Sequence, residues 1–285
     1  MLSLKKNNHP TKIYIDHWED YDSIGDQAML LNALRRLETY LGPCQFIGPL
    51  SAGREGEFEY PYYKSLPPPY LEIKKTAGRL KRYYSKILRF FPGSLIPIIK
   101  SKTFLNIAIA ILSIKHFFYK MGFHFVFNES FRVFLQEIKS CDVFFTVGDC
   151  SLSDYWLDGV ILKSWLIKFV RPYIAVSVLS SQGIGPLETP WARKRLVDAL
   201  QTLDILSFRD FSYSQALVQS EGLTEVPYQI VGDEAFSFPV ASETEVSGAL
   251  RKTGISKEEP FIIVNFRKTD FTQETTALLE KTAKF

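Results

Sequence analysis

The stretch "KIYIDHWEDYDSIGDQAMLLNALRRLETY", residues 12–40, decides the fold class. It opens with Lys12–Asp16, an apolar run that stops on an acid, the pattern of a short buried strand. A polar loop follows. From Asp26 to Tyr40 the residues Met29, Leu30, Ala33, Leu34 and Leu37 recur at helical spacing and share one face. Strand, loop and amphipathic helix, with Gly25-Asp26 at the helix mouth, make the opening unit of an α/β sheet.

The same unit recurs downstream. Strand-like runs at Gln45–Ile47, Val143–Val147, Ile174–Leu179 and Ile205–Phe208 stop at Gly, Ser or Asp. Helical patterns over Trp191–Thr202 and Ser212–Ser220 follow two of them. Short apolar strands alternating with helices predict a doubly wound parallel sheet flanked by helices. The order of the strands does not follow from the pattern.

A chain of 285 residues that is 46% hydrophobic and 14% aromatic can build a substantial core, which excludes global disorder. Cys44, Cys141 and Cys150 are too few and too scattered for a disulfide framework or a zinc site. They fit a reducing, cytoplasmic location. The first residues, MLSLKKNNHP, lack the apolar core of a signal peptide. The longest apolar stretch, Phe104 to Ile114, covers 11 residues and is broken by Asn106 and Ser113. A bilayer span needs about 20, so no transmembrane helix is expected.

The net charge of +3 hides a bipolar chain. Between Ile73 and Asn128 there are eleven Lys and Arg residues and no acid, a local +11 that leaves −8 on the remainder. This region, about 65–128, opens with Pro67-Pro68-Pro69 and runs through a basic helix-like stretch, Lys74–Phe91. It breaks at Pro92-Gly93 and continues as the apolar Leu95–Phe127, so it reads as an insertion between early strands of the sheet. Its cations are interleaved with Tyr83, Tyr84, Phe90 and Phe91, which suits peripheral contact of residues 74–120 with an anionic membrane. Each basic residue near such a surface contributes about 1 kcal/mol. Helices packed on the domain with solvated lysines are the alternative. The segment holds no nucleic-acid recognition pattern, and no nucleic-acid partner is expected.

Past Phe238 the chain turns polar, so residues 241–260 read as a linker or a peripheral helix that follows a first domain of residues 1–240. "FIIVNFRKTD", residues 261–270, then starts a new strand, and Thr272–Lys284 a short helix. One strand and one helix cannot bury their own apolar faces. Residues 261–285 therefore either pack on the first domain or begin a second domain that is incomplete in this chain, and the second is the expectation.

In an open parallel sheet, ligands bind outside the carboxyl ends of the strands, near helix N-termini. Ser23-Ile24-Gly25-Asp26, Gly148-Asp149-Cys150-Ser151 and the loop from Ser180 through Gly183 and Gly185 to Pro186 all fall in such places. So do Arg209-Asp210 and Gly232-Asp233. Each Gly-Asp pair alone is also ordinary helix-start chemistry, with Gly for the turn and Asp as the cap. As a set they predict a cleft lined by backbone N–H groups and suited to an anion. Arg209 at a strand end can grip a carboxylate or phosphate with two parallel hydrogen bonds, or else pair with adjacent Asp210. Arg267 and Lys268 end the last strand and are candidates for the same cleft. His17, just past the first strand, is the candidate for proton transfer, with a capping or surface role as the alternative. His116 and His124 read as packing residues. There is no ligand cluster with metal spacing, no P-loop and no GxGxxG after the first strand, so no metal site is expected.

Five of these elements, in order, resemble the polysaccharide pyruvyl transferase family. They are "SIGDQAMLLNALRRL", "CDVFFTVGDCSLSDYW", "SSQGIGPL", "ILSFRDFSYSQAL" and "VGDEAFSF", and the resemblance covers about 12–50 and 140–285. The chain has Ser23 where the family usually has Asn, and Gly148-Asp149 where Gly-Gly is usual. The resemblance implies a GT-B-like fold: two Rossmann-like domains around a cleft, the second truncated here. It implies transfer of a pyruvyl group, as a ketal, from phosphoenolpyruvate to a sugar of a cell-surface polysaccharide or a lipid-linked precursor. No cofactor is expected beyond that donor substrate. Arg209 matches an arginine position of the family and is the candidate for donor binding, with Arg267 as a second, weaker candidate. Gly25, Gly148, Gly183 and Gly185 shape the cleft, and Asp26 caps its helix or orients a sugar hydroxyl. The general acid is expected in the second domain, beyond this chain, which leaves His17 as the catalytic candidate within it. A cytoplasmic enzyme, peripheral at the inner face of the plasma membrane, is the expected setting. Two other functions fit the same pattern: a GT-B-like glycosyltransferase using a nucleotide sugar, and a non-catalytic, membrane-associated polysaccharide-assembly protein.

Overall fold

The computed structural model describes residues 9–17, 24–49, 60–88 and 101–255. Two compact units divide the chain, residues 1–238 and 239–285. In the first, seven strands form one sheet: β1 (Thr11–Asp16), β2 (Cys44–Pro49), β3 (Tyr63–Leu66), β4 (Val143–Thr146), β5 (Val176–Gln182), β6 (Ile205–Phe208) and β7 (Tyr228–Ile230). Their order is β3-β2-β1-β4-β5-β6-β7, and every neighbouring pair is parallel. This is a Rossmann-like arrangement. The winding reverses between β1 and β4, and the ends of those two strands therefore flank the crevice where such sheets take their ligands.

β1 runs through the centre and is apolar because both of its faces are covered. Ile13 and Ile15 point to one face, where α1 (Ile24–Leu41) lays Met29, Leu30, Ala33 and Leu34 against them and against Phe46, Val143 and Phe145. Tyr14 points to the other face and packs on Phe134 and Phe144 at ring-centroid distances of 5.7 and 5.9 Å. That second face carries α2 (Tyr70–Leu88), α3 (Ser101–Lys120), α4 (Glu129–Lys139), α5 (Leu157–Val170), α6 (Pro190–Leu200) and α7 (Tyr213–Ser220). Local chemistry sets several of these helices. Asn128 caps α4 by accepting from the Phe131 N–H at 2.9 Å, and Phe131, Phe134, Leu135 and Ile138 then make its buried stripe. Pro190 occupies the first turn of α6, where a missing N–H costs nothing.

The sheet differs from the expected one in informative places. β3 pairs with β2, so Tyr63–Leu66 belongs to the sheet and the helical insertion starts after it. β3 and β7 are short edge strands of four and three residues, too brief and too polar to show alternation. β5 begins at Val176 and continues to Gln182, so Ser180, Ser181 and Gln182 are buried strand residues rather than loop. A register shift between Leu179 and Gln182 marks a bulge there. α4 and α5 had no counterpart in the expected pattern.

In the second unit, the stretch expected as a linker or peripheral helix holds α8 (Glu243–Lys252). It starts with a capping box in which Ser242 and Glu245 satisfy each other's backbone N–H groups. Ser23, Pro92-Gly93, the strand and helix expected over 261–285, and with them Arg267 and Lys268, lie outside the described residues.

The aromatic layer around Phe134, which also touches Phe131 and Phe169, ties β1, β4, α4 and α5 together. Phe134→Ala is expected to cost about 3–5 kcal/mol through lost burial and the cavity left behind. Urea denaturation of the two proteins, compared at matched m-values, measures it.

Candidate functional site

The carboxyl ends of five strands meet along one edge of the sheet. Beyond β4 and β5 the chain continues as two loops that lie side by side. Gly183 N–H donates to the Asp149 carbonyl at 2.9 Å, Gly185 N–H to Leu152 at 2.9 Å, and Asp154 N–H to Pro186 at 2.8 Å. Leu152 and Ile184 form a parallel bridge between them. Gly148 is required at this crossing, because a Cβ there would collide with the Ser181 carbonyl. Gly185 is required for two reasons: its φ is +99°, and a Cβ would come within 2.8 Å of Tyr213.

Behind this rim lies a buried ionic cluster. Gly159 lets α5 approach Ser151 closely, since a Cβ would stand 2.8 Å from the Ser151 carbonyl oxygen. One turn later, Lys163 reaches the β4 loop and its Nζ donates to Asp149 Oδ2 at 2.6 Å. Both side chains are almost fully buried. Asp149 Oδ1 accepts from the Ser151 N–H and hydroxyl, each at 2.8 Å. Gln182 Nε2 donates to the Asp149 carbonyl at 2.7 Å and also to its carboxylate. Burial pushes the Asp149 pKa up, but the Lys163 charge and these hydrogen bonds outweigh it and hold the group below its ordinary value.

Asp16 and His17 end β1 beside this pair, both buried. Burial raises the Asp16 pKa to about 6 against the pull of Lys163. Burial lowers that of His17 to about 4, so its imidazole is neutral near pH 7. The histidine singled out in the sequence thus stands at the switch point as a neutral group.

The β5 bulge organises the next part of the edge. Ser181 is held at φ +46°, a region a side-chain-bearing residue rarely adopts. Its N–H donates to Ser207 Oγ at 2.9 Å, its hydroxyl donates to the Gly232 carbonyl and accepts from the Glu234 N–H at 3.2 Å. These bonds fasten β5 to β6 and to the segment after β7. Ser180 donates to Glu234, whose carboxyl burial pushes above the usual range. Arg36 of α1 lies 3.9 Å from the same carboxylate. Beside them an apolar groove of about 320 Å³ opens between α1 and the sheet, lined by Ala33, Leu37, Tyr40, Phe145, Val178 and Ile205.

Arg209 stands at the end of β6 on the rim. It does not pair with Asp210, which instead caps α7 by accepting from Tyr213 N–H at 2.9 Å and the Ser214 hydroxyl at 2.7 Å. The guanidinium reaches Asp233 at 3.0 Å, with Cys150 Sγ at 3.2 Å and Met29 Sδ at 3.1 Å as its other partners. Sulfur is a weak acceptor, and Arg209 Nε has no hydrogen-bond partner among the described residues. One carboxylate and two sulfurs leave a planar cation with donor capacity in hand.

Arg209 therefore gathers the expected elements at one place: Cys150 from the β4 loop, Asp233 from the last Gly-Asp pair and Met29 from α1. The Asp26 charge is also felt at Cys150, which brings the mouth of α1 to the same region. Gly25 is exposed at the start of α1, and Gly183 packs against Asp149 and Cys150. His116 is a packing residue, its ring tilted against Phe169 at a centroid distance of 4.6 Å. The sequence reading missed Asp16, Lys163, Gln182 and Glu234. A signal for Lys163 existed: of the two lysines in LDGVILKSWLIKFV, Lys168 lies in the last turn, whereas Lys163 sits at the centre of an otherwise apolar helix and requires a buried anion.

A family model described as polysaccharide pyruvyl transferase matches residues 24–281. No curated protein matches the chain.

The raised Asp16 pKa makes stability depend on pH. Below about pH 4 the group is protonated in both folded and unfolded chains and costs nothing. As pH rises towards 6, the unfolded chain ionises while the folded one holds its proton, and stability is lost. Asp16→Asn mimics the protonated form and escapes that loss. The variant's stability relative to the parent is expected to grow by up to about 3 kcal/mol between pH 4 and 6 and to level off above. Urea midpoints across that range test it, and a difference independent of pH contradicts it.

Proposed function

Because the chain belongs to the polysaccharide pyruvyl transferase family, we propose that it transfers a pyruvyl group from phosphoenolpyruvate to a sugar of a cell-surface polysaccharide or its lipid-linked precursor. The observation that carries this reading is Arg209. Its guanidinium is held at the carboxyl edge of the sheet by one carboxylate and two weak sulfur acceptors. A carboxylate or phosphate arriving there gains charge-assisted hydrogen bonds that the protein does not itself fill. A donor that carries both groups is suited to such an edge, where the backbone N–H groups of Gly-marked loops add to the attraction.

The reaction balances without a cofactor. The methylene carbon of the enol takes a proton, and C2 becomes the electrophile. Two hydroxyl oxygens of one sugar bond to C2, the bond from C2 to the phosphate oxygen breaks, and phosphate leaves. Of the two hydroxyl protons released, one balances that taken up by the methyl group and the other leaves on phosphate. Cationic groups stabilise the departing phosphate and the donor carboxylate. Asp16, His17, Asp149 and Lys163 lie behind the rim, and in this reading they set its shape and field. In this reading the general acid belongs to the second domain that the family resemblance implies.

Purified full-length protein is expected to release phosphate from phosphoenolpyruvate only when a saccharide acceptor is present, with a ketal detected on the acceptor by mass gain. No release with any acceptor, together with saturable binding of a nucleoside diphosphate, would favour the glycosyltransferase reading instead. Arg209→Ala is expected to raise the KM for phosphoenolpyruvate by about ten- to a hundredfold, the value of one or two charge-assisted hydrogen bonds. Arg209→Lys keeps the charge but not the paired geometry and recovers only part of the loss. Unchanged kinetics in both variants removes Arg209 from the donor site.

A further inference from the structure

The helical insertion carries a surface that the catalytic reading does not use. α3 has two apolar faces. One, with Phe104, Leu105, Ala108, Ile109 and Leu112, is buried in the core. The opposite stripe, Ile107, Ile114, Phe117 and Phe118, with Met121 just past the helix end, is exposed, Phe117 by 61% and Met121 by 58%. Its spacing of three, four and seven residues keeps it on one side of the helix. From Thr103 to Ile114 the helix contains no charged residue. The turn after α3 extends the stripe with Phe123 and with Phe125, which is 81% exposed. Phe117, Phe118, Phe123 and Phe125 form a chain of edge-to-face rings at centroid distances of 5.8, 6.0 and 6.0 Å. An outward helix face in water is ordinarily polar, and a contiguous apolar patch marks a surface that meets a partner.

The charge around the patch selects the partner. Lys115 of α3 lies 3.6 Å from Glu72 in the first turn of α2, so the N-terminal part of α2 sits beside the C-terminal part of α3. The outward residues of α2 include Lys75, Arg79 and Arg82, and Lys120 is exposed at the end of α3. Two acids bound the region: Glu72, engaged by Lys115 and Asn128, and Glu129, exposed in the first turn of α4. With +11 between Ile73 and Asn128, a second copy of this chain would bring like charge against like charge. An anionic lipid surface offers both an apolar layer for the rings and opposite charge for the lysines and arginines. No helix of the described residues is long and apolar enough to cross a membrane, so the contact is one of lying in the interface.

We propose that the outward face of α3 and the Phe123–Phe125 turn dock on an anionic lipid surface, with the exposed cations of α2 on the headgroups. The contact area includes the C-terminal half of α3 and continues past it, beyond the 74–120 span expected from the sequence. It does not depend on which reaction the strand-end site performs.

The test is sedimentation of the full chain with vesicles of phosphatidylcholine alone and of phosphatidylcholine mixed with phosphatidylglycerol, at low and high salt. Binding is expected to the anionic vesicles at low salt and to weaken as salt rises. Phe117→Ser with Phe125→Ser is expected to weaken it by about tenfold or more. Lys75→Glu with Arg79→Glu is expected to do so by a similar factor. Thermal melts check that the variants stay folded. Should the double phenylalanine variant fail to fold, Phe125→Ser alone serves, since its ring is almost wholly in solvent. Absence of binding at low salt overturns the proposal. So does equal binding to neutral vesicles, binding that the phenylalanine variants leave unchanged, or a solution dimer that those variants dissociate.

Discussion

The Lys163–Asp149 pair is the contact on which the geometry of the strand-end site depends. Two unit charges withdrawn from water cost several kcal/mol each, and their attraction offsets this only if every remaining lone pair and proton is satisfied. Asp149 meets that condition through Ser151, Gln182 and Lys163 together. Each partner comes from a different element, so the pair holds the β4 loop, the end of β5 and α5 at fixed separations. Gly159 is what allows the lysine to arrive. Removing one charge strands the other, at about 3–5 kcal/mol, whereas the pair as a whole contributes little net stability. Its value is therefore in position: it sets where the two loops run and so where the rim can stand.

From that anchor the rim follows step by step. The β4 loop lies against β5 because Gly148 has no Cβ, and β5 bulges at Ser181 to meet it. The Ser181 conformation costs on the order of 1–3 kcal/mol, offset by hydrogen bonds to Ser207, Gly232 and Glu234. Those same bonds draw the segment after β7 inwards and place Asp233 within reach of Arg209. The arginine is thus positioned by a chain of contacts that begins twenty or more residues away on either side. Its ion pair with Asp233 leaves its Nε without a partner among the described residues.

Much of this fold was legible in the sequence, for a physical reason. β1 and β4 are covered on both faces and read as apolar runs, and α1 shows its buried stripe at the correct spacing. Legibility fails where burial is partial or partners are remote. β3 and β7, at the sheet edges, are too short to show a period. The polar residues of β5 looked like loop because Ser180, Ser181 and Gln182 are buried by hydrogen bonding rather than by apolarity. For the site, the positions of the Gly-Asp pairs and of Arg209 could be placed at strand ends, since a parallel sheet fixes which ends converge. Their partners could not. Asp210 is adjacent to Arg209 in sequence, yet its carboxylate is occupied by the N–H groups and hydroxyl at the start of α7. That leaves the more distant Asp233 to take the ion pair.

The topology also explains how the insertion can carry a second surface without disturbing the first. The chain leaves β3 at one edge of the sheet and must cross to β4 beyond β1. That crossover already requires a helix, and α4 supplies it. α2 and α3 are added before α4, so they enlarge the helical layer while the strand order and the strand ends stay as they are. One face of α3 is consumed in burying Phe104, Ala108 and Leu112, which fixes the direction of the other. Among the described residues, nothing in the packing calls for phenylalanines at 117, 123 and 125, all of which are exposed. An uncharged outward stripe beside a block of cations is unfavourable for a helix that meets only water. The same residues are consistent with a helix that meets water and lipid at once, and it is the coincidence of apolar stripe and positive charge that distinguishes the two.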